Sequence, residues 1–205
     1  MNRRFFITAL GALPLVSFGT FASAQNDPVV GELNAYLNSL QSVSARFTQQ
    51  SSDGSVAAGM FYLQKPGKMR FEYDAPSPAL LVADGKALAV FDRKSNRGPQ
   101  RYPQSATPLS LLARDDIDIT RSKFVQKLEA SDAEVHLTMF NPDEPGSGAI
   151  KMIFERKPMA LVEWIIIEGS GSESTVKLGP LSTDISLKNS LFSIPLTIRE
   201  LENEG

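Results

Sequence analysis

Residues 59–76 read GMFYLQKPGKMRFEYDAP. The stretch is two strands and a corner. In the second arm Met69, Phe71 and Tyr73 alternate with Lys68, Arg70 and Glu72. That period of two sends each set to its own face of a sheet. Pro66 and Gly67 supply the turn, one by fixing φ and the other by tolerating any φ. No catalytic pattern is present. Phe61, Tyr62, Met69, Phe71 and Tyr73 crowd into one hairpin, and a strand pair can bury one face in a core. Two readings stay open from spacing alone, ordinary core and the lining of a ligand cavity, and core is the stronger.

The same period extends outward in both directions. In SVSARFTQQ, residues 42–50, Val43, Ala45 and Phe47 fall on one face and Ser44, Arg46 and Thr48 on the other. Strands are expected at 79–83 and 87–92, joined across Asp84 and Gly85, a strong hairpin pair. Further strands are expected at 124–129, 133–140, 149–155, 160–168, 174–178 and 183–187. Turn-forming residues separate them. About eleven strands arriving in succession imply an antiparallel meander. Such a sheet must close, curl or pair, because open edges invite aggregation.

Two segments change period. Over residues 27–40, Val29, Val30, Leu33, Tyr36, Leu37 and Leu40 recur at steps of three and four, with Asp27 placed to cap and Pro28 to begin a helix. TPLSLLAR, residues 107–114, predicts a second helix, capped by Thr107 and started by Pro108, with Leu109, Leu111 and Leu112 on its apolar side. Amphipathic helices need an apolar surface to cover. The expected fold is therefore mainly β with an α lid: an unclosed antiparallel half-barrel of about eleven strands under two or three amphipathic helices.

The first residues address the compartment. Arg3 and Arg4 precede a mostly apolar run, and Ala22, Ser23 and Ala24 form a small-x-small cleavage site. This is the pattern of a secretory signal peptide over residues 1–24. Residues 25–205 are then one exported domain. Removing Arg3 and Arg4 takes the formal charge from −2 to −4. A weakly acidic chain with scattered basic residues is not built to bind nucleic acid. Cysteine is absent, so the sheet holds without disulfides, and anchoring through an acylated cysteine is excluded.

A search for catalytic or metal chemistry returns little. His136 is the only histidine, and it alternates with Val135 and Leu137, so it is expected to face away from them into solvent. Asp115, Asp116 and Asp118 lack the glycine and further oxygen ligands of a calcium loop and read as a solvated loop. No G-x-S-x-G, phosphate loop or zinc-ligand cluster is present. The reading is a non-enzyme without cofactor or metal. Trp164 with residues 165–167, all isoleucine, is a dense apolar segment.

Taken in order, these segments resemble the LolA family, the periplasmic carriers of outer-membrane lipoproteins. The amphipathic first helix precedes SVSARFTQ, which is similar to the family's first strand. GMFYLQKPGKMRFEYDAP resembles its most recognisable segment, in which a strand ends in a basic residue and proline. LLVADGKALAVFD resembles the hairpin that follows, TPLSLLAR its Thr-Pro helix, and FSIP, residues 192–195, its closing strand. The resemblance implies a half-barrel whose cavity holds the acyl chains of a lipoprotein. It implies acylated lipoprotein cargo, an inner-membrane lipoprotein-releasing ABC transporter as donor, an outer-membrane lipoprotein acceptor, and a monomeric carrier. Many members have arginine before the hairpin proline, where it bonds lid backbone; here that position is Lys65, the expected lid latch at the cavity rim. Phe47, Met69, Phe71, Tyr73, Leu80, Val82, Phe91, Trp164 and Ile166 are the expected cavity residues, and Leu33, Leu37, Leu109, Leu111 and Leu112 the expected apolar side of the lid. An envelope-stress sensor or adaptor of similar shape is the alternative, and a hydrolase a more distant one.

Overall fold

The computed structural model describes residues 28–95 and 97–204. The signal peptide and the Asp27 cap lie outside the described residues. Helix α1 spans Pro28–Ser39. The strands are β1 Ser42–Gln50, β2 Val56–Gln64, β3 Lys68–Tyr73, β4 Ala79–Asp84, β5 Ala87–Asp92, β6 Gln100–Pro103, β7 Val125–Ala130, β8 Glu134–Phe140, β9 Ala149–Arg156, β10 Met159–Ile167, β11 Glu173–Leu178 and β12 Ser182–Thr183, before helix α2 at Ile194–Glu204.

The strands form one sheet in the order β6-β5-β4-β3-β2-β1-β11-β10-β9-β8-β7, with β12 also paired to β1. The sheet does not close: β6 and β7, consecutive in the chain, are its two edges. The segment between them, residues 104–124, therefore crosses from one edge to the other. The sheet curls strongly. Strands β2 and β10 have β1 and β11 between them, a separation of about 14 Å in a flat sheet. Yet the rings of Phe61 on β2 and Trp164 on β10 are 5.2 Å apart. Side chains on this inner face meet across the curve.

Two faces carry two cores. On the concave face Phe47, Phe61, Phe71, Leu137, Met152, Phe154, Trp164 and Val176 join the apolar stripe of α1 and the residues after β6 in one large cluster. On the convex face Leu80, Val82, Ala89 and Phe91 form a smaller one with Ile194, flanked by Ile198 and Leu201 of α2. Lys68 Nζ donates to Asn189 Oδ1 at 2.7 Å and Arg70 Nη1 to the Leu191 carbonyl at 3.2 Å. These bonds fix the approach of the C-terminal segment to β3.

Several expectations change here. Residues 192–195 do not form a closing strand: a 3-10 turn at Asn189–Phe192 leads into α2. Pro195 sits in the first turn of α2, where its missing N–H costs nothing, and Thr197 N donates to the Ser193 carbonyl at 3.0 Å. Residues 107–114 form a 3-10 turn, Pro108–Leu111, capped by Thr107 Oγ1, which accepts from Leu109 N. The strand expected over 183–187 is the two-residue β12, and β6 was not anticipated. No helix among the described residues is long and apolar enough to cross a membrane.

Candidate functional site

The concave face is built in rows. Across β1, β2, β3 and β4 one row holds Ala45, Phe61, Phe71 and Leu81, and the next holds Val43, Leu63, Met69 and Ala83. A third row places Gly59 between Phe47 and Tyr73. The glycine is required. A Cβ there would come within 2.2 Å of the Glu72 carbonyl and 2.8 Å of the Phe47 ring. Its absence lets the two flanking rings close over the gap, edge to face at 5.0 Å.

Phe61, Phe71 and Trp164 continue the aromatic set, with ring centroids 4.8 to 6.2 Å apart. Such offset and edge-on contacts are favoured by ring quadrupoles. Phe47, Phe61 and Trp164 are each no more than 2% exposed and Phe71 5%. Tyr73 is half-buried, its hydroxyl donating to Gln49 Oε1 at 2.5 Å, and burial pushes its phenol up to about 12.

Of the expected cavity residues, Phe47, Met69, Phe71, Tyr73, Trp164 and Ile166 share this concave face, and Ile166 packs at its margin. Leu80, Val82 and Phe91 do not. They pair with Glu72, Arg70 and each other on the convex face and are covered by α2. The residues that occupy the concave side of β4 are Leu81 and Ala83. Phe61, noted in the hairpin but not named for the cavity, also lines the concavity, as do Leu137, Ile150, Met152 and Phe154, which were not singled out although strict alternation in β8 and β9 marks them.

The lid has two parts. Helix α1 turns Val29, Val30, Leu33 and Leu37 inward, each 6% exposed or less. The segment after β6 supplies Leu109, Leu111, Leu112, Ile117 and Ile119, all buried, and its 3-10 turn packs against β8, β9 and β10. Tyr36 of α1 meets Phe154 edge-on at 5.9 Å, and its hydroxyl accepts from Leu161 N at 2.8 Å. Leu161 adjoins the bulge of β10, where ladder pairing is interrupted.

Lys65 grips the corner where α1 runs into β1. Its backbone N–H donates to the Gln41 carbonyl at 2.9 Å and its Nζ to the Leu37 carbonyl at 2.8 Å. Leu37 is in the last turn of α1, where helix carbonyls lack internal partners. Lys65 is 8% exposed. Burial lowers its pKa from 10.5 to about 8, against the opposing pull of the Asp115 carboxylate. The neighbouring Gly67 N donates to Ala113 O at 2.9 Å, and Gln104 Nε2 donates to Gly67 O at 2.6 Å. So the β2–β3 turn holds both parts of the lid.

Elsewhere the chemistry is plain. His136 faces away from the core and meets Glu134 Oε2 at 2.9 Å. Asp115 and Asp116 are exposed, and no group of three or more metal-ligating side chains occurs among the described residues.

Comparison with known proteins matches this sequence to one family model and to curated relatives. The family model "Outer membrane lipoprotein carrier protein LolA" fits residues 38–195. An outer-membrane lipoprotein carrier protein of Chromobacterium violaceum is 26% identical over 185 residues, covering 87% of this chain and 88% of its own. Another, from Pseudomonas paraeruginosa, is 33% identical over 129 residues, covering 58% of this chain and 59% of its own. Among solved structures, an uncharacterized conserved protein from Thermus thermophilus superposes with a TM-score of 0.50 at 12% identity, covering 81% of this chain and 93% of that one. That last likeness concerns the fold.

Proposed function

The chain belongs to the LolA family of outer membrane lipoprotein carrier proteins, and we propose that it ferries acylated lipoproteins across the periplasm with their acyl chains held against the concave face. In this reading cleavage after Ala24 leaves residues 25–205 as a single carrier domain. The cargo comes from an inner-membrane lipoprotein-releasing ABC transporter and goes to the outer membrane, where a lipoprotein acceptor receives it. The carrier works by binding and release rather than by catalysis, and Lys65 acts as latch.

One observation carries the reading: an aromatic-lined concavity is covered by two separate lid segments rather than by further strands. Magnitudes agree with it. Nine apolar lid side chains are buried, Val29, Val30, Leu33, Leu37, Leu109, Leu111, Leu112, Ile117 and Ile119. At about 1.5–3 kcal/mol each, exposing them to water costs on the order of 14–27 kcal/mol. An empty carrier therefore stays shut. Acyl carbon is worth about 0.8 kcal/mol per buried CH₂, so three long chains bring roughly 30–40 kcal/mol. Opening against cargo is affordable where opening against water is not.

The test is native mass spectrometry of the mature protein taken from a periplasmic extract of its own host. A one-to-one adduct with an acylated lipoprotein, displaced by an apolar probe, is expected. Bare protein that also fails to take up a synthetic triacylated peptide would overturn the proposal.

A further inference from the structure

The two parts of the lid are stitched together by a pair of asparagines. Asn34 and Asn38 stand one helical turn apart on α1, beside its buried stripe. Four residues advance about 6 Å along a helix. Opposite them runs the segment 117–119, where Ile117 and Ile119 are buried and Asp118 between them is less so, as in a strand. Alternate residues of an extended chain are about 6.6 Å apart, so the two spacings match. Asn38 Nδ2 donates to the Ile117 carbonyl at 2.9 Å, and Ile117 N donates back to Asn38 Oδ1 at 3.1 Å. Ile119 N donates to Asn34 Oδ1 at 2.9 Å. The amides serve residues 117–119 as a neighbouring strand would.

The bonds from lid to sheet are arranged differently. They are dispersed over several places: Lys65 to the Leu37 carbonyl and Gly67 to Ala113 at the β2–β3 turn, Leu161 to Tyr36 on β10, Arg156 of β9 to Glu32 at 4.0 Å, and the Arg114 guanidinium 4.2 Å from the centroid of the Phe124 ring before β7. Each can break alone. The three bonds between the lid parts lie together and would have to break together. Parting the halves would orphan two backbone N–H groups and one carbonyl in a partly buried seam, which is costly. Lifting them as a unit leaves those groups satisfied.

We propose that α1 and residues 113–119 open as one body, and that Asn34 and Asn38 are the positioning residues that couple them. The inference rests on the carrier reading above. Opening then bares the stripe of α1 together with Ile117 and Ile119, and the part of the concavity beneath them is presented at once. With the coupling lost, α1 lifts alone and the mouth opens only in part.

The absence of cysteine makes site-directed spin labelling clean. One label pair, Ala35→Cys with Asp116→Cys, spans the two lid parts, and a second, Ala35→Cys with Lys177→Cys, spans lid and sheet; all three positions are exposed. Distances are measured before and after loading with a synthetic triacylated lipopeptide, and loading is verified by native mass spectrometry. The lid-to-sheet distance is expected to shift while the distance across the lid holds. Adding Asn38→Ala, or the milder Asn34→Ala, is expected to make the distance across the lid shift as well. A native lid whose halves separate on loading overturns the inference. So does a loaded protein in which neither distance moves, or a coupling that survives both substitutions. Failure to form any adduct sinks the carrier reading, and this inference with it.

Discussion

Consider Lys65→Leu. In the folded protein the amine is buried and its pKa drops from 10.5 to about 8. Between those two values the unfolded chain holds more protons than the folded one, so stability rises with pH across that window. Below about pH 8 the amine is charged in both states and the full penalty applies, about 3 kcal/mol at 1.36 kcal/mol per unit. Between pH 7 and 9.5 about 2 kcal/mol of it is relieved, and water reaching the rim of the lid reduces this to about 1–2 kcal/mol. Leucine carries no such dependence. Urea unfolding of both proteins at several pH values is the assay. The difference in stability between native protein and Lys65→Leu should move in favour of the native protein by that amount as pH rises. Taking the difference cancels the other alkaline groups, including Tyr73, whose phenol is pushed to about 12. The same linkage acts on lid closure, because an open lid returns the amine to water; uptake of an apolar probe by the native protein should slow over this pH range. A stability difference that stays flat from pH 7 to 9.5 would show that the amine is solvated, and the latch geometry would be wrong.

Other substitutions separate the two faces of the sheet. Phe71→Ala empties the centre of the aromatic set and should cost about 3–5 kcal/mol and weaken lipopeptide binding, as read by titration. Leu80→Ala, on the convex face under α2, should cost about 2–5 kcal/mol and leave lipopeptide affinity per folded molecule unchanged; a matching loss of affinity would contradict the assignment of Leu80 to that face. Gly59→Ala forces a Cβ against the Glu72 carbonyl and the Phe47 ring and should lower the urea midpoint by the equivalent of at least about 1–3 kcal/mol.

Much of this protein was legible before its coordinates. The alternation in SVSARFTQQ and KMRFEY set the strand ends within a residue or two and sorted Val43, Ala45 and Phe47 onto one face of β1 and Met69 and Phe71 onto one face of β3. The steps of three and four in α1 named the four residues it buries. Both signals are local: a strand shows its period in two residues and a helix in four, whatever surrounds them. The C-terminal helix was also written in the chain, through Pro195 and the spacing of Ile194, Ile198 and Leu201, but a resemblance to a strand hid it. The 3-10 turn at 108–111 is a different case. Its leucines predicted burial correctly, while nothing in eight residues chooses between a 3-10 turn and an α-helix.

Sequence alone determined which residues of each element travel together, because periodicity is a property of the local backbone. It could not decide which face of a strand is inside. In ALLVAD, residues 79–84, both faces are apolar: Leu81 and Ala83 turn to the concavity, Leu80 and Val82 to the convex side. Each pair is buried or half-buried by a different cover, the lid on one side and α2 on the other. Those covers come from chain segments far apart in the sequence, and so do the bonds from Asn38 and Lys65 to the lid backbone that close over the concave face. Only the folded chain brings them to the strand, and burial is decided by what arrives.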